Sequence, residues 1–145
     1  MLPMLAANQA GHLIRVLGLP DTPTCVRLFG TNKTIVPFIL GPVLAATVLF
    51  FYRDPHFATE GIIFGLGVVI GEHTKSLCKR LVGMKEGHPF PLDRVDWAIG
   101  GSIAAWLYFP WVSIDHCLVI VGIAYPLHMV GNKFSHVMGW RDTPH

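Results

Sequence analysis

Charge is what this chain has least of. Asp, Glu, Lys and Arg make up 14% of its 145 residues, against about 25% in an ordinary soluble protein. The formal net charge of +2 is too small to argue for a nucleic-acid partner. Cysteine is scarce as well. Cys25, Cys78 and Cys117 are scattered and odd in number, with no CxxC or Cys/His spacing. Buried thiols are therefore expected rather than a disulfide framework or a structural zinc. The chain has no HExxH, GxSxG, P-loop or Ser/His/Asp arrangement, and no internal repeat, heptad array or low-complexity tract. The opening MLPMLAANQA has no basic region followed by a cleavage site, so no signal peptide is expected.

What is present is apolar. Hydrophobic residues make up 52% of the chain, and mean hydropathy is +0.50. We read it as an all-α integral membrane protein, one transmembrane domain over residues 1–145. A helix needs about 20 mostly apolar residues to cross the hydrocarbon core. Thr34 to Tyr52 is uncharged over 19 residues, Trp97 to Ile114 has a single Asp only beyond its end, and His116 to Asn132 supplies a further apolar run. Gly61 to Ile70 is short and must continue as helix towards Leu81 or Val82. Met1 to Leu19 is the weakest span, interrupted by Asn8, Gln9, His12 and Arg15. The expectation is about five transmembrane helices with a polar cavity on the cytoplasmic side.

Five spans put Arg27, Lys33, Lys75, Lys79, Arg80, Lys85, Arg94, Lys133 and Arg141 on one side, and Arg53 alone on the other. By the positive-inside rule the crowded side is cytoplasmic, with the N-terminus out and the C-terminus in. The pairs Gly61-x-x-x-Gly65 and Gly67-x-x-x-Gly71 suit close helix packing, the main role expected of them. Such faces can serve a homodimer as readily as packing within one chain.

Nine of the 20 charged residues fall in Gly71–Asp96. Intramembrane charge is costly and usually marks function. Helical spacing puts Lys75 and Lys79 on one face with Glu72 and Ser76 beside them, and Arg80 and Lys85 extend the basic character. Such a cluster can neutralise a triphosphate or a lipid phosphate; basic helix ends also serve as plain headgroup anchors. Asp93 and Asp96 stand three apart, so a helix starting near Leu92 gives both carboxylates one face. Two hard oxygen donors there suit Mg²⁺, which takes one or two carboxylates plus substrate phosphates; equally, both can cap the helix. Arg94 between them can bind phosphate or pair locally. Gly87-His88-Pro89-Phe90-Pro91 makes a stiff turn that feeds the basic helix back towards the carboxylates. No protein nucleophile is required, because a lipid phosphate can attack a nucleotide directly once the two are aligned.

These residues resemble a known family. Lys75-Ser76, Lys79-Arg80, Gly83, Lys85, Gly87, Pro89-Phe90-Pro91 and Asp93-Arg94-Val95-Asp96 are similar to the signature of the CDP-archaeol synthases, membrane enzymes related to phosphatidate cytidylyltransferases. Leu2-Pro3, Ala7-Asn8, Gly30-Thr31-Asn32-Lys33-Thr34, Pro126-Leu127-His128 with Asn132, and Gly139 with Pro144 extend the likeness end to end and in order. The resemblance implies Mg²⁺-dependent transfer of CMP from CTP to a lipid phosphate, releasing pyrophosphate. It implies Asp93 and Asp96 as Mg²⁺ ligands, joined by Glu72. Lys75, Ser76, Lys79, Arg80 and Lys85 would handle phosphates, and Asn8, Lys33, Thr34, His128 and Asn132 would complete a polar cavity. The chain departs from the family pattern at Glu72 (usually Asp), Ile35-Val36-Pro37 (Trp-Arg-Gly), Phe90 (Trp), His145 (Trp) and Arg94 (Gln). The lipid is therefore open among an isoprenoid ether-lipid phosphate, phosphatidate and another polyprenyl or lipid phosphate. A CTP-dependent lipid kinase, which would release CDP, is the enzymatic alternative. A small non-catalytic lipid-binding subunit is the other.

Overall fold

The computed structural model describes residues 1–31, 33–85, 88 and 90–137, apart from the side chains of Arg15, Asn132 and Ser135. Apolar runs satisfy their backbone internally by forming helix, and the described chain is helical almost throughout. In order these are α1 (Leu2–Asn8), α2 (Ala10–Val16), α3 (Val26–Phe29), α4 (Ile35–Tyr52), α5 (Ala58–Leu81), α6 (Asp96–Tyr108) and α7 (Ile114–Val137), with 3-10 turns at Pro55–Phe57 and Pro91–Arg94. An isolated bridge pairs Pro23 with Thr34 and closes the loop between α2 and α4.

Among the described residues two helices are long and apolar enough to cross a membrane, α4 and the Ile114–Gly131 part of α7. The other three expected spans take different forms. Met1–Leu19 folds as two seven-residue helices broken at Gln9, where polar Asn8 and Gln9 interrupt the apolar run. The Gly61 helix does continue to Leu81, giving 24 residues whose last turns are charged. The run from Trp97 stops at Tyr108 after 13 residues of α6, because Pro110 disfavours helix at the residue before it and cannot bond the preceding turn.

Two helix starts show how loops fix the frame. Asp21 accepts hydrogen bonds from Thr22 N–H (2.9 Å) and from Val36 N–H (3.1 Å). A carboxylate 15 residues upstream thus caps α4, while Thr34 at the cap position makes no side-chain cap bond. At α7, Ser113 and His116 cap reciprocally: Ser113 N–H donates to His116 Nδ1 (3.2 Å), and His116 N–H to Ser113 Oγ (3.4 Å). At its far end α5 closes on Gly83, whose φ is +74°. Gly83 N–H bonds Arg80 O (3.0 Å) and Met84 N–H bonds Lys79 O (2.9 Å), the paired bonds of a Schellman stop.

The centre of the fold is α5, packed between α4 and α6. The two glycine pairs make this possible. A side chain at Gly61 would meet the backbone of Ala45 and Ala46, and one at Gly65 the backbone of Gly41 and Pro42. On another face, Gly67 and Gly71 lie against Gly100, with Asp96 O beside Gly71. Both pairs are thus used inside the chain, as the small-residue rule expects. Met4 of α1, Val68 of α5 and Trp97 of α6 fill the buried centre, and the Trp97 indole N–H donates to Arg94 O at 3.2 Å. The outward faces carry large apolar side chains, among them Ile39, Phe51, Ile103, Leu107, Leu118 and Val130. Helix α7 packs mainly on α6 and reaches the Pro91–Arg94 turn.

Candidate active site

Gly71 decides where the polar residues meet. Because it has no side chain, the first turn of α6 approaches α5 one turn before Lys75. The 3-10 turn at Pro91–Arg94 then leads directly into Asp96. Asp93 is held in that turn by accepting a hydrogen bond from Phe90 N–H at 2.8 Å. The expected helix from Leu92 is therefore a 3-10 turn joined to a helix, and Asp93 does serve as a local cap. Both carboxylates nevertheless converge on one point. Lys75 Nζ lies 3.0 Å from Asp93 Oδ1 and 2.7 Å from Asp96 Oδ2.

Around that point the charges are matched. Lys79 Nζ lies 3.2 Å from Asp93 Oδ2 and also donates to the carbonyl of His88. Lys33, brought in by the loop before α4, pairs with Glu72 of α5. Three lysines thus face three carboxylates. Asp96 and Lys79 are buried, and Lys33, Glu72, Lys75 and Asp93 are half-buried. Burial works to raise the Asp93 carboxyl pKa, but the hydrogen bond and charge of Lys75, the Phe90 N–H and Lys79 outweigh it. The carboxyl is held below the usual carboxylate range.

The other candidates are placed unevenly. Ser76 is buried and donates to Glu72 O at 3.0 Å. Arg80 donates to Met84 O at the end of α5. Arg94 donates to Tyr125 Oη and stacks its guanidinium 5.2 Å over the same ring, tying the turn to α7. Thr34 is half-buried where the loop enters α4, and Lys85 is exposed. His128 is half-buried on α7, one turn beyond Tyr125. Asn8 ends α1, half-buried, and among the described residues no hydrogen bond joins it to the lysine–carboxylate cluster. The side chain of Asn132, together with Asn32, Glu86, Gly87, Pro89 and the stretch 138–145 that includes Gly139, Arg141, Pro144 and His145, lies outside the described residues.

Sequence reasoning did not single out His73 or Tyr125. His73 Nδ1–H donates to Val69 O at 2.8 Å, and its ring meets Phe29 and Phe38 edge-on at 5.0 and 5.4 Å. Its spacing from Val69 and Glu72 on one helix was the available signal. Tyr125 is one aromatic residue in an apolar helix and offered none. A cavity of about 190 Å³ lies elsewhere, lined by Met4, Phe64, Trp111, His116 and Ile120 among others. Phe64 precedes Lys75 by three turns, roughly 16 Å along the helix, so this mostly apolar cavity is separate from the cluster.

Among the described residues no three His, Cys, Asp or Glu side chains converge closely enough to hold a metal unaided. Two carboxylates do converge on a single cationic nitrogen, Lys75 Nζ. That donor set fits a hard divalent ion that draws its remaining ligands from substrate phosphates and water.

Comparison with known proteins identifies the family. A family model described as CarS-like, CDP-archaeol synthase, matches residues 24–145. A CDP-archaeol synthase of Methanopyrus kandleri is 33% identical over 125 residues, covering 81% of this chain and 72% of the relative. That of Methanococcoides burtonii is 30% identical over 144, covering 81% and 82%. That of Aeropyrum pernix is 29% identical over 160, covering 99% and 88%. No solved structure matches.

Proposed function

This chain belongs to the CDP-archaeol synthase family, and on that premise we propose that it transfers CMP from CTP to the phosphate of a membrane lipid, releasing pyrophosphate. The observation that carries the reading is the convergence of Asp93 and Asp96 on Lys75, with Lys79 and Lys33 alongside. It brings ammonium groups of the kind that bind phosphate to the same place as paired hard oxygen donors.

In this reading an oxygen of the lipid phosphate attacks the α-phosphorus of CTP. The new P–O bond forms as the bond to the α–β bridging oxygen breaks, and pyrophosphate leaves with the electron pair. Lys75 and Lys79 neutralise charge on the phosphates and hold them in line. Lys33, Thr34, Ser76, Arg80 and Lys85 would be further candidates for handling phosphate. Asn8, His128 and Asn132 would be the further polar groups offered to the substrates. Asp93 and Asp96 would hold Mg²⁺; Glu72, paired with Lys33 and not converging with them, would join only after moving. When bound, the ion would supply charge neutralisation and Lewis-acid polarisation of phosphate oxygens.

The membrane setting follows the same reading. Apolar side chains on the outer faces of α4, α6 and α7 would meet lipid. The α1–α2 pair, α4, α5, α6 and α7 would make five passes, with the cluster at the cytoplasmic side. A homodimer would further shield the half-buried members of the cluster, among them Lys33, Glu72 and Asp93.

The experiment is direct. Purified protein is given Mg²⁺, labelled CTP and a panel of isoprenoid ether-lipid phosphates and acyl phosphatidates. A CDP-lipid together with pyrophosphate is expected. Release of CDP with no CDP-lipid would identify a kinase. No product from folded protein across the panel would overturn the transfer reading.

A further inference from the structure

Each carboxylate of the cluster already has a cation. Glu72 has Lys33, and Asp93 and Asp96 share Lys75, with Lys79 as a second partner of Asp93. The Lys75 side chain is 14% exposed and that of Asp96 5%, so this pairing is poorly replaced by water. An ammonium at the point where two hard carboxylates meet occupies the position a divalent ion needs.

We propose that Lys75 is the resident counter-ion of the Asp93–Asp96 pair, displaced from it when a divalent cation enters and redirected to a phosphate of the nucleoside triphosphate. This rests on the transfer reading of the site and adds a condition to it. A metal arriving alone meets an occupied position. A polyphosphate arriving alone meets lysines that are already paired. Arriving together, they exchange partners, metal to carboxylates and lysines to phosphates, so no poorly hydrated charge is left alone. Metal and nucleotide binding are therefore coupled through Lys75, and the coupling is reciprocal. Lys79 is the internal comparison. It touches Asp93 alone of the two aspartates and keeps a second bond to His88 O, so it contributes less to this exchange.

The test is Mn²⁺ binding, followed by electron paramagnetic resonance, to wild type, Lys75→Met and Lys79→Met. Binding is measured without nucleotide and then with CTP in the absence of lipid phosphate, against the protein-free Mn²⁺–CTP complex. Lys75→Met is expected to bind Mn²⁺ alone about tenfold or more tightly than wild type, and Lys79→Met to show a smaller gain. CTP should strengthen Mn²⁺ binding much more in wild type than in Lys75→Met. Equal or weaker Mn²⁺ affinity in Lys75→Met, with CTP enhancing both proteins alike, overturns the role of Lys75 and leaves the transfer reading standing. Absence of Mn²⁺ binding in every form, with and without CTP, overturns the reading of the site itself. Should the methionine variant not fold, Lys75→Gln carries the same comparison, since its neutral amide can still donate to a carboxylate.

Discussion

The two halves of α5 are held by opposite means. From Gly61 to Gly71 the helix is fixed by what it lacks: without side chains, its glycines let α4 and α6 come to backbone contact. From Glu72 to Lys79 it is fixed by what it carries, a run of ion pairs to the α4 loop and to the start of α6. Contact through shape sets a distance and cannot be traded for a ligand. Contact through charge can be traded, because a metal and a phosphate offer the same pairings. The glycine half therefore places the charged half, and the charged half is where binding is to be sought.

The largest effect should come from removing a partner of the charged half, Asp96 at the start of α6. Asp96→Asn keeps shape and leaves Lys75 paired to Asp93, so the chain should still fold, while CDP-lipid formation should fall by about a thousandfold, the scale seen when a transition-state charge contact is removed. Product formation measured per folded molecule checks it. Turnover equal to wild type would take Asp96 out of the machinery.

The glycine half should respond the other way. In Gly65→Val the new side chain would run into the Pro42 backbone, and backbone cannot rotate aside as a flexible side chain can. A loss of about 2 kcal/mol or more is expected, read as a lower thermal unfolding midpoint in detergent. Turnover per folded molecule should change far less than in Asp96→Asn, since Gly65 lies more than two turns from Lys75. An unmoved midpoint would mean that α4 and α5 are not held at backbone contact, and the contrast between the halves would fail.

How much of this was legible beforehand follows the same division. The helix α4 was readable because an uncharged run of that length has one economical solution. The use of both glycine pairs was readable because their spacing puts each pair on a single face. Asp93 and Asp96 were readable as partners from their separation. The ion pairs themselves were not. Nothing local says that Lys33 crosses to Glu72, 39 residues on, or that Lys75 sits between two aspartates from another helix entrance. Arg94 is expected to bind phosphate or pair locally, and its contact with Tyr125, 31 residues away, has no local signal. The ends of α4 matched the apolar run, but its capping by Asp21, 15 residues upstream, had no local signal, and the fourth run ended early where Pro110 cuts it short. Period and hydropathy carry information along one helix; they carry little about which loop a charged side chain will meet.

The smallest effect separates the halves by pH. The Asp93 carboxyl titrates below its ordinary range in the folded chain, because Lys75, Phe90 N–H and Lys79 together outweigh the burial that would raise it. In the unfolded chain it returns to roughly 4. Folding thus favours the ionised form, and the contribution to stability is complete above the unfolded value. It is lost as the pH falls through the lower folded value, because the protonated carboxyl no longer holds the two ammonium groups. Asp93→Asn removes this dependence. The unfolding midpoint of wild type should therefore exceed that of Asp93→Asn near neutrality, with the gap narrowing as pH falls below 4. The deficit of Gly65→Val, which involves no titrating group, should stay constant over the same range. A wild-type advantage over Asp93→Asn that persists undiminished in acid would show that the carboxylate acts in the Pro91–Arg94 turn through shape and hydrogen bonding alone, and the charged half would then resemble the glycine half.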